Sequence, residues 1–140
     1  MPQDDSVTIP NSTRLFRRIN PCWMVYDKNR RERRPTYQNF QDSPDGTPMS
    51  VFAENVAVEQ GEEPADFLSG LWSLWLLAAL PASWMRECGQ KVYLVAKNQE
   101  PDDFHPSHAA VDGPKPNKIR SKLGERYEWV VPPLNRHEPA

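Results

Sequence analysis

The chain has 140 residues, a formal net charge of −2 and 38% hydrophobic residues, which suits one domain able to bury a core without staples. A mean hydropathy of −0.76, with fifteen prolines, six glycines and two cysteines, excludes a fibrous protein, a disulfide scaffold and a multi-span membrane protein. Cys22 and Cys88 stand far apart with no Cys-x-x-Cys pair, which removes a zinc ribbon and a thioredoxin-type motif.

In chain order, residues 1–13 are polar, carry Pro2 and Pro10, and read as a flexible arm ahead of a single domain over residues 14–133. The opening Met-Pro-Gln-Asp-Asp lacks the apolar stretch of a secretory signal. A cytoplasmic protein with free thiols is therefore expected. Residues 14–19 read as a strand with Leu15, Arg17 and Ile19 on one face and Phe16 and Arg18 on the other. Asn20-Pro21 breaks it, and residues 22–26 form a second apolar run of strand length. Residues 27–35 are charged and expected to be a loop. Tyr37 and Phe40, three apart, fit one helical turn or two loop anchors. Ser43-Pro-Asp-Gly46 carries turn chemistry, and residues 49–52 follow as a short strand.

Residues 67–85 hold no charge, and their apolar side chains cover almost every face of a helix. Pro64 suits a first helical turn and Asp66 complements its dipole. At about 1.5 Å per residue the run reaches roughly 28 Å, barely a membrane's hydrocarbon thickness. Pro81 interrupts it near its end. A buried Trp-rich helix is expected, not a membrane span. Gly89 suits its end. Residues 90–97 read as a strand, 98–104 as an acidic loop, and 108–111 as a short strand closed by Asp112-Gly113-Pro114. Residues 115–126 read as a basic helix with Ile119 and Leu123 inward, and residues 127–131 as a last strand stopped by Pro132-Pro133. Residues 134–140 read as a flexible tail. The fold expected is α+β: a small mixed or antiparallel sheet, one buried Trp-rich helix and a second short basic helix.

Charge is segregated. Residues 14–34 hold eight basic side chains against Asp27 and Glu32, whereas residues 41–66 hold seven acidic ones and no Lys or Arg. Such blocks either neutralise each other within the fold or present two faces to different partners. The basic block neighbours Trp23, Tyr26 and Tyr37, whose rings can stack on bases. An isoelectric point near 5.9 weighs against a dedicated nucleic-acid-binding domain.

The segments Leu15-Phe-Arg-Arg-Ile-Asn-Pro21, Ser50-Val51, Pro106-Ser-His108 with Val111, Ile119 with Leu123, and Trp129-Val130 together resemble a group of small uncharacterised bacterial proteins. That resemblance implies a compact single domain and no particular chemistry. The chain also resembles ADP-ribosyltransferase-type folds, in which a first-strand arginine holds the dinucleotide. The likeness implies that role for Arg17, with Ser50 on a later strand and His108 or Glu128 as a third polar group. The chain departs from that pattern in lacking a Ser-Thr-Ser or Glu-x-Glu element and a Gly-rich loop after the first strand.

His105 and His108 are too few to hold a metal, and Asp102, Asp103, Asp112 and Cys88 complete no diagnostic spacing. No metal and no cofactor are expected. His108 at the start of an apolar strand is a candidate general acid or base, and Arg17 or Arg18 can clamp a phosphate. An ion pair with Glu54 or Asp66 is the simpler role for those arginines. Phosphate-loop, dinucleotide, zincin and nucleophile-elbow motifs are absent. The function expected is a small non-catalytic binding or accessory protein of a bacterial multiprotein or nucleoprotein assembly. It would meet another protein, or a nucleic-acid-containing complex, through Trp23, Arg30, Arg31, Arg33, Arg34, Lys118, Lys122 and Arg126. The alternative is a small enzyme acting on a nucleotide or phosphodiester, ADP-ribosyltransferase-like or RNA-processing, using His108 and Arg17. It requires His108 and an arginine to converge in one concave pocket.

Overall fold

A computed structural model describes residues 9–96 and 105–133. Its elements are β1 (Arg14–Ile19), β2 (Met24–Asp27), β3 (Glu32–Pro35), β4 (Met49–Ala53), α1 (Glu54–Glu59), β5 (Leu76–Pro81), α2 (Ala82–Glu87), β6 (Lys91–Leu94), β7 (His108–Asp112), α3 (Asn117–Leu123) and β8 (Glu128–Val131). The fold is α+β. Six strands form one sheet in the order β6-β7-β4-β1-β5-β8, and β2 and β3 form a separate two-stranded ribbon. Every ladder is antiparallel. The end of the strand expected at 90–97, the loop at 98–104 and the tail at 134–140 reach outside the described residues.

The expected parity of β1 holds. Leu15 and Ile19 join Val51, Ala53, Leu80, Val92 and Val111 in the larger core cluster, closed by Met85 of α2, Leu123 of α3 and Phe40. Phe16 on the other face joins Phe52, Leu77 and Ala79, closed by Phe67 and by Ala57 of α1. In antiparallel pairs facing residues share a face. The register Phe16↔Phe52, Phe52↔His108, Ser50↔Ala110 and Tyr93↔Ala110 therefore extends this second face across the sheet.

The Trp-rich helix does not form. The uncharged run is divided among a 3-10 turn Pro64–Leu68, a second 3-10 turn Gly70–Trp72, β5 and the start of α2. Gly70, at φ +59°, takes a left-handed conformation that breaks any continuous helix. β5 lies between β1 and β8, and Leu77 to Leu80 are buried on both sides of the sheet. A strand covered on both faces loses its alternation and reads as a solid apolar run. Pro81 ends it at φ −68° and serves as the N-cap residue of α2.

The expected loop at 27–35 is instead half of a β-hairpin, with Met24↔Pro35, Val25↔Arg34, Tyr26↔Arg33 and Asp27↔Glu32 paired. Asp27 Oδ1 accepts the backbone N–H groups of Asn29 and Arg30 at 2.9 and 3.2 Å, which closes the turn. Arg31 completes it at φ +55°. The expected basic helix forms as α3 followed by a 3-10 turn Gly124–Arg126. Gly124 is required there, because a Cβ would stand 2.5 Å from Phe40 Cε2. Of the two aromatics around the 3-10 turn Tyr37–Asn39, Phe40 is the buried anchor and Tyr37 is exposed. At the start of the described chain Ile9 is buried, and Thr13 O accepts Ala82 N–H at 3.0 Å.

Candidate functional site

The second face of the sheet is covered at one end by the turn Pro64–Leu68. Beyond it lies a cleft of about 350 Å³ walled by Arg17, Arg18, Trp23, Ser50, Trp72 and Trp75. It exists because two strands part. The β1–β4 ladder ends at Phe16↔Phe52, although β1 runs on to Ile19 and β4 begins at Met49. Arg17 fills the gap: its Nη1 donates to Ser50 O at 2.8 Å and its Nε to Asn39 O at 2.9 Å. Burial, with the adjacent positive Arg18 adding to it and Asp42 opposing it, pushes the Arg17 guanidinium down to about 10. Among the described residues Arg17 forms no salt bridge and its Nη2 has no partner.

Arg18 comes from the opposite face of the same strand. Its guanidinium lies 4.3 Å from the Trp72 ring centre and 4.8 Å from that of Phe52. Its Nε donates to Phe67 O at 2.7 Å. Its two terminal nitrogens have no partner among the described residues. Burial also lowers its basicity. The expected ion pairs to Glu54 or Asp66 are not made by either arginine. Arg14 takes Glu54 instead, at 2.6 Å. Asp42 enters the cleft already neutralised, its Oδ1 accepting from Lys115 Nζ at 2.6 Å. The cleft therefore retains the charge of two guanidinium groups held on carbonyl oxygens. An anion bound there would offset the cost of burying the two cations.

Ser50 Oγ and His108 Nε2 are hydrogen-bonded. The pair follows from register, since Phe52↔His108 and Ser50↔Ala110 set both side chains on the cleft face. Ser50 also walls a second cavity of about 310 Å³, shared with His108, Tyr93 and Thr47. The dyad thus stands between two cavities. The turn before His108 is held by His105, whose Nε2 lies 2.6 Å from Glu62 Oε2 and whose Nδ1 lies 2.8 Å from Ser107 Oγ. The His105 ring rests 5.5 and 5.6 Å from the ring centres of Phe52 and Phe67.

No family model, no curated protein and no solved structure matches the chain.

Of the residues singled out in the sequence, Arg17, Arg18, Trp23 and His108 gather at this cleft and its neighbour. Trp23 is fixed there through its carbonyl, which accepts from Asn39 Nδ2 at 2.9 Å and from Thr36 N at 3.0 Å. Arg30, Arg31, Arg33 and Arg34 lie on the hairpin. Arg30 and Arg34 pair with Asp27 at 4.0 and 3.5 Å and face Ser121 and Glu125 across a separate cavity. Lys118, Lys122 and Arg126 do not join them there. Lys118 and Lys122 are exposed on α3, and Arg126 lies 4.4 Å from the Trp84 ring centre on α2. His105 and His108 do not meet at a metal site, and no group of three ligating His, Cys, Asp or Glu side chains occurs among the described residues. Trp72 and Trp75 line the cleft without having been singled out as its residues; Ser50 was singled out only through the resemblance to ADP-ribosyltransferase-type folds. A pair of tryptophans three apart just after Gly70 was the available signal.

The second cavity gives a pH test of the fold. Burial, then the hydrogen bond and charge of Asp112, pushes the Tyr93 hydroxyl up to about 12. For an acid held protonated in the native state, the stabilisation is complete below its ordinary value near 10 and is lost as pH rises through 12. Thermal melts of Tyr93→Phe and the parent across pH 9–12 should show the parent losing more stability. Parallel curves would contradict the assignment.

Proposed function

We propose that the cleft binds a nucleotide or another phosphoester and that Ser50 and His108 act on its phosphorus centre. The observation that carries this reading is that two guanidinium groups without carboxylate partners open onto one aromatic-walled cleft beside a Ser–His pair. The unpartnered N–H groups of Arg17 and Arg18 would hold the non-bridging oxygens. Trp72, Trp75 and Trp23 offer stacking faces for a base, each worth about 1–3 kcal/mol in such contacts. With the imidazole proton on Nδ1, His108 Nε2 accepts from Ser50 Oγ–H, and Ser50 Oγ attacks phosphorus as its proton passes to His108. The bond from phosphorus to the ester oxygen breaks as His108 returns that proton to the leaving alcohol. Water, deprotonated by His108, then cleaves the phosphoseryl intermediate and frees Ser50. The guanidinium groups stabilise the charge that develops on the equatorial oxygens.

The sequence reading asked for His108 and an arginine in one concave pocket; they line two neighbouring cavities instead, joined through Ser50, which walls both. No helix among the described residues is long and apolar enough to cross a membrane, and the site needs none.

Calorimetric titration with ADP, AMP and adenosine tests the reading. ADP should bind and adenosine should bind at least tenfold more weakly. Arg18→Gln should weaken ADP about ten- to hundredfold, the value of a lost charge-assisted contact of about 1.5–3 kcal/mol. Equal affinity for ADP and adenosine, or indifference to Arg18→Gln, would overturn it.

A further inference from the structure

We propose that the substrate is a single-stranded oligonucleotide, threaded through the cleft and continued along the β2–β3 hairpin, and not a free nucleotide. This rests on the phosphoester reading above and extends it to the polymer.

Three cavities follow one another across the sheet and share walls. The Tyr93 cavity and the arginine cleft have Ser50 in common. The arginine cleft and a third cavity, of about 430 Å³, have Trp75 in common. Met24 and Arg33 of the hairpin line that third cavity. The register Met24↔Pro35 and Tyr26↔Arg33 puts Tyr26, half-exposed, on the same face of the ribbon. A path thus runs from His108 past Arg17 and Arg18 to Trp75, Arg33 and Tyr26, with cationic groups and ring faces alternating along it. That alternation is what a single strand requires, since phosphates recur along its backbone and each base offers a π-face once unpaired. A mononucleotide would use only the middle of the path.

The charge on the ribbon agrees. Residues 24–35 hold five basic side chains against Asp27 and Glu32. Asp27 serves Arg30 and Arg34, and Glu32 accepts from Tyr127 Oη at 3.1 Å. Lys28, Arg31 and Arg33 have no carboxylate partner among the described residues. Of the acidic block, Asp42 lies in the cleft and is paired with Lys115, whereas Glu54 and Glu59 of α1 lie toward the other end of β1. With Leu15 facing Ala53, α1 begins beside Arg14, whereas the hairpin follows Ile19. At about 3.3 Å per residue the two ends of β1 stand roughly 17 Å apart, beyond a physiological Debye length. The near-zero net charge therefore does not oppose a polyanion on the hairpin side.

The experiment is fluorescence anisotropy with 5′-labelled rU10 and dT10, the same sequences as duplexes, and calorimetry with UMP. A decamer is expected to bind at least tenfold tighter than UMP and tighter than its duplex. Log affinity should fall with log salt at a slope of about −2 to −3.5, as for three to five phosphates on a single strand. Arg33→Glu, outside the arginine cleft, should weaken the decamer at least tenfold and leave UMP unchanged. A preference for rU10 over dT10 assigns RNA, and the reverse assigns DNA. If UMP binds but the decamer gains nothing, ignores Arg33→Glu or binds no better than duplex, the polymer inference fails and the phosphoester reading stands. If neither UMP nor decamer binds, the phosphoester reading fails and takes this inference with it.

Discussion

A His108→Gln protein is expected to bind its phosphoester with parental affinity and to turn it over about 10²–10⁴ times more slowly, the usual contribution of a positioned acid–base group. Glutamine can still hydrogen-bond Ser50 Oγ, so geometry is largely kept while the capacity to take and return a proton is lost. Binding should survive because the groups that hold the anion are Arg17 and Arg18, anchored on Ser50 O, Asn39 O and Phe67 O and not on the imidazole. Ser50→Ala should fall by a similar factor, and the double variant should be no slower than the worse single one, since the two groups act as a unit. Hydrolysis of bis(4-nitrophenyl) phosphate under saturating conditions, beside calorimetric affinities, separates the effects. A His108→Gln protein that keeps the parental rate would reduce the Ser50–His108 bond to a structural contact between β4 and β7.

The strands were legible wherever one face was solvated or one parity apolar. In β1 the alternation of Leu15, Arg17 and Ile19 with Phe16 and Arg18 anticipated the two core clusters. Periodicity misled in the two places where its premise was absent. β5 is covered on both faces, so Leu76 to Leu80 carry no alternation and merged with the preceding tryptophans into an apparent helix. The hairpin failed in the opposite sense, because a free-standing ribbon has little apolar face to reveal. Its signal was the Asx turn at Asp27, hidden among charges. The site was legible by residue type for Arg17, Arg18 and His108. Ser50 entered only through the resemblance to ADP-ribosyltransferase-type folds, and its bond to His108 was not legible, because 58 residues separate the two and only the β4–β7 register joins them. Nor does composition reveal that β1 and β4 part after Phe16, although that gap turns a strand arginine into a cleft wall.

The largest effect on stability should come from Phe67→Ala. Phe67 is 2% exposed and stacks on Phe52 with ring centres 4.4 Å apart, with Phe16 at 5.9 Å and His105 at 5.6 Å. Truncating a buried phenylalanine costs about 3–5 kcal/mol, against a total of about 5–15 kcal/mol for a typical domain. For a chain of this length that corresponds to a fall in melting temperature of roughly 10–20 °C. The turn Pro64–Leu68 is short, and Phe67 is its one fully buried side chain, so little else holds it to the sheet. The same turn supplies the carbonyl that fixes Arg18. Loss of the ring should therefore loosen the arginine as well as the core, and phosphoester affinity should fall even at temperatures where the variant is fully folded. Phe67→Leu keeps most of the volume and should cost less than about 1.5 kcal/mol while retaining affinity. Chemical denaturation and calorimetry on both variants distinguish the two consequences. A folded Phe67→Ala protein with parental affinity would mean that the aromatic pair Phe52 and Trp72 suffices to hold Arg18 without the carbonyl.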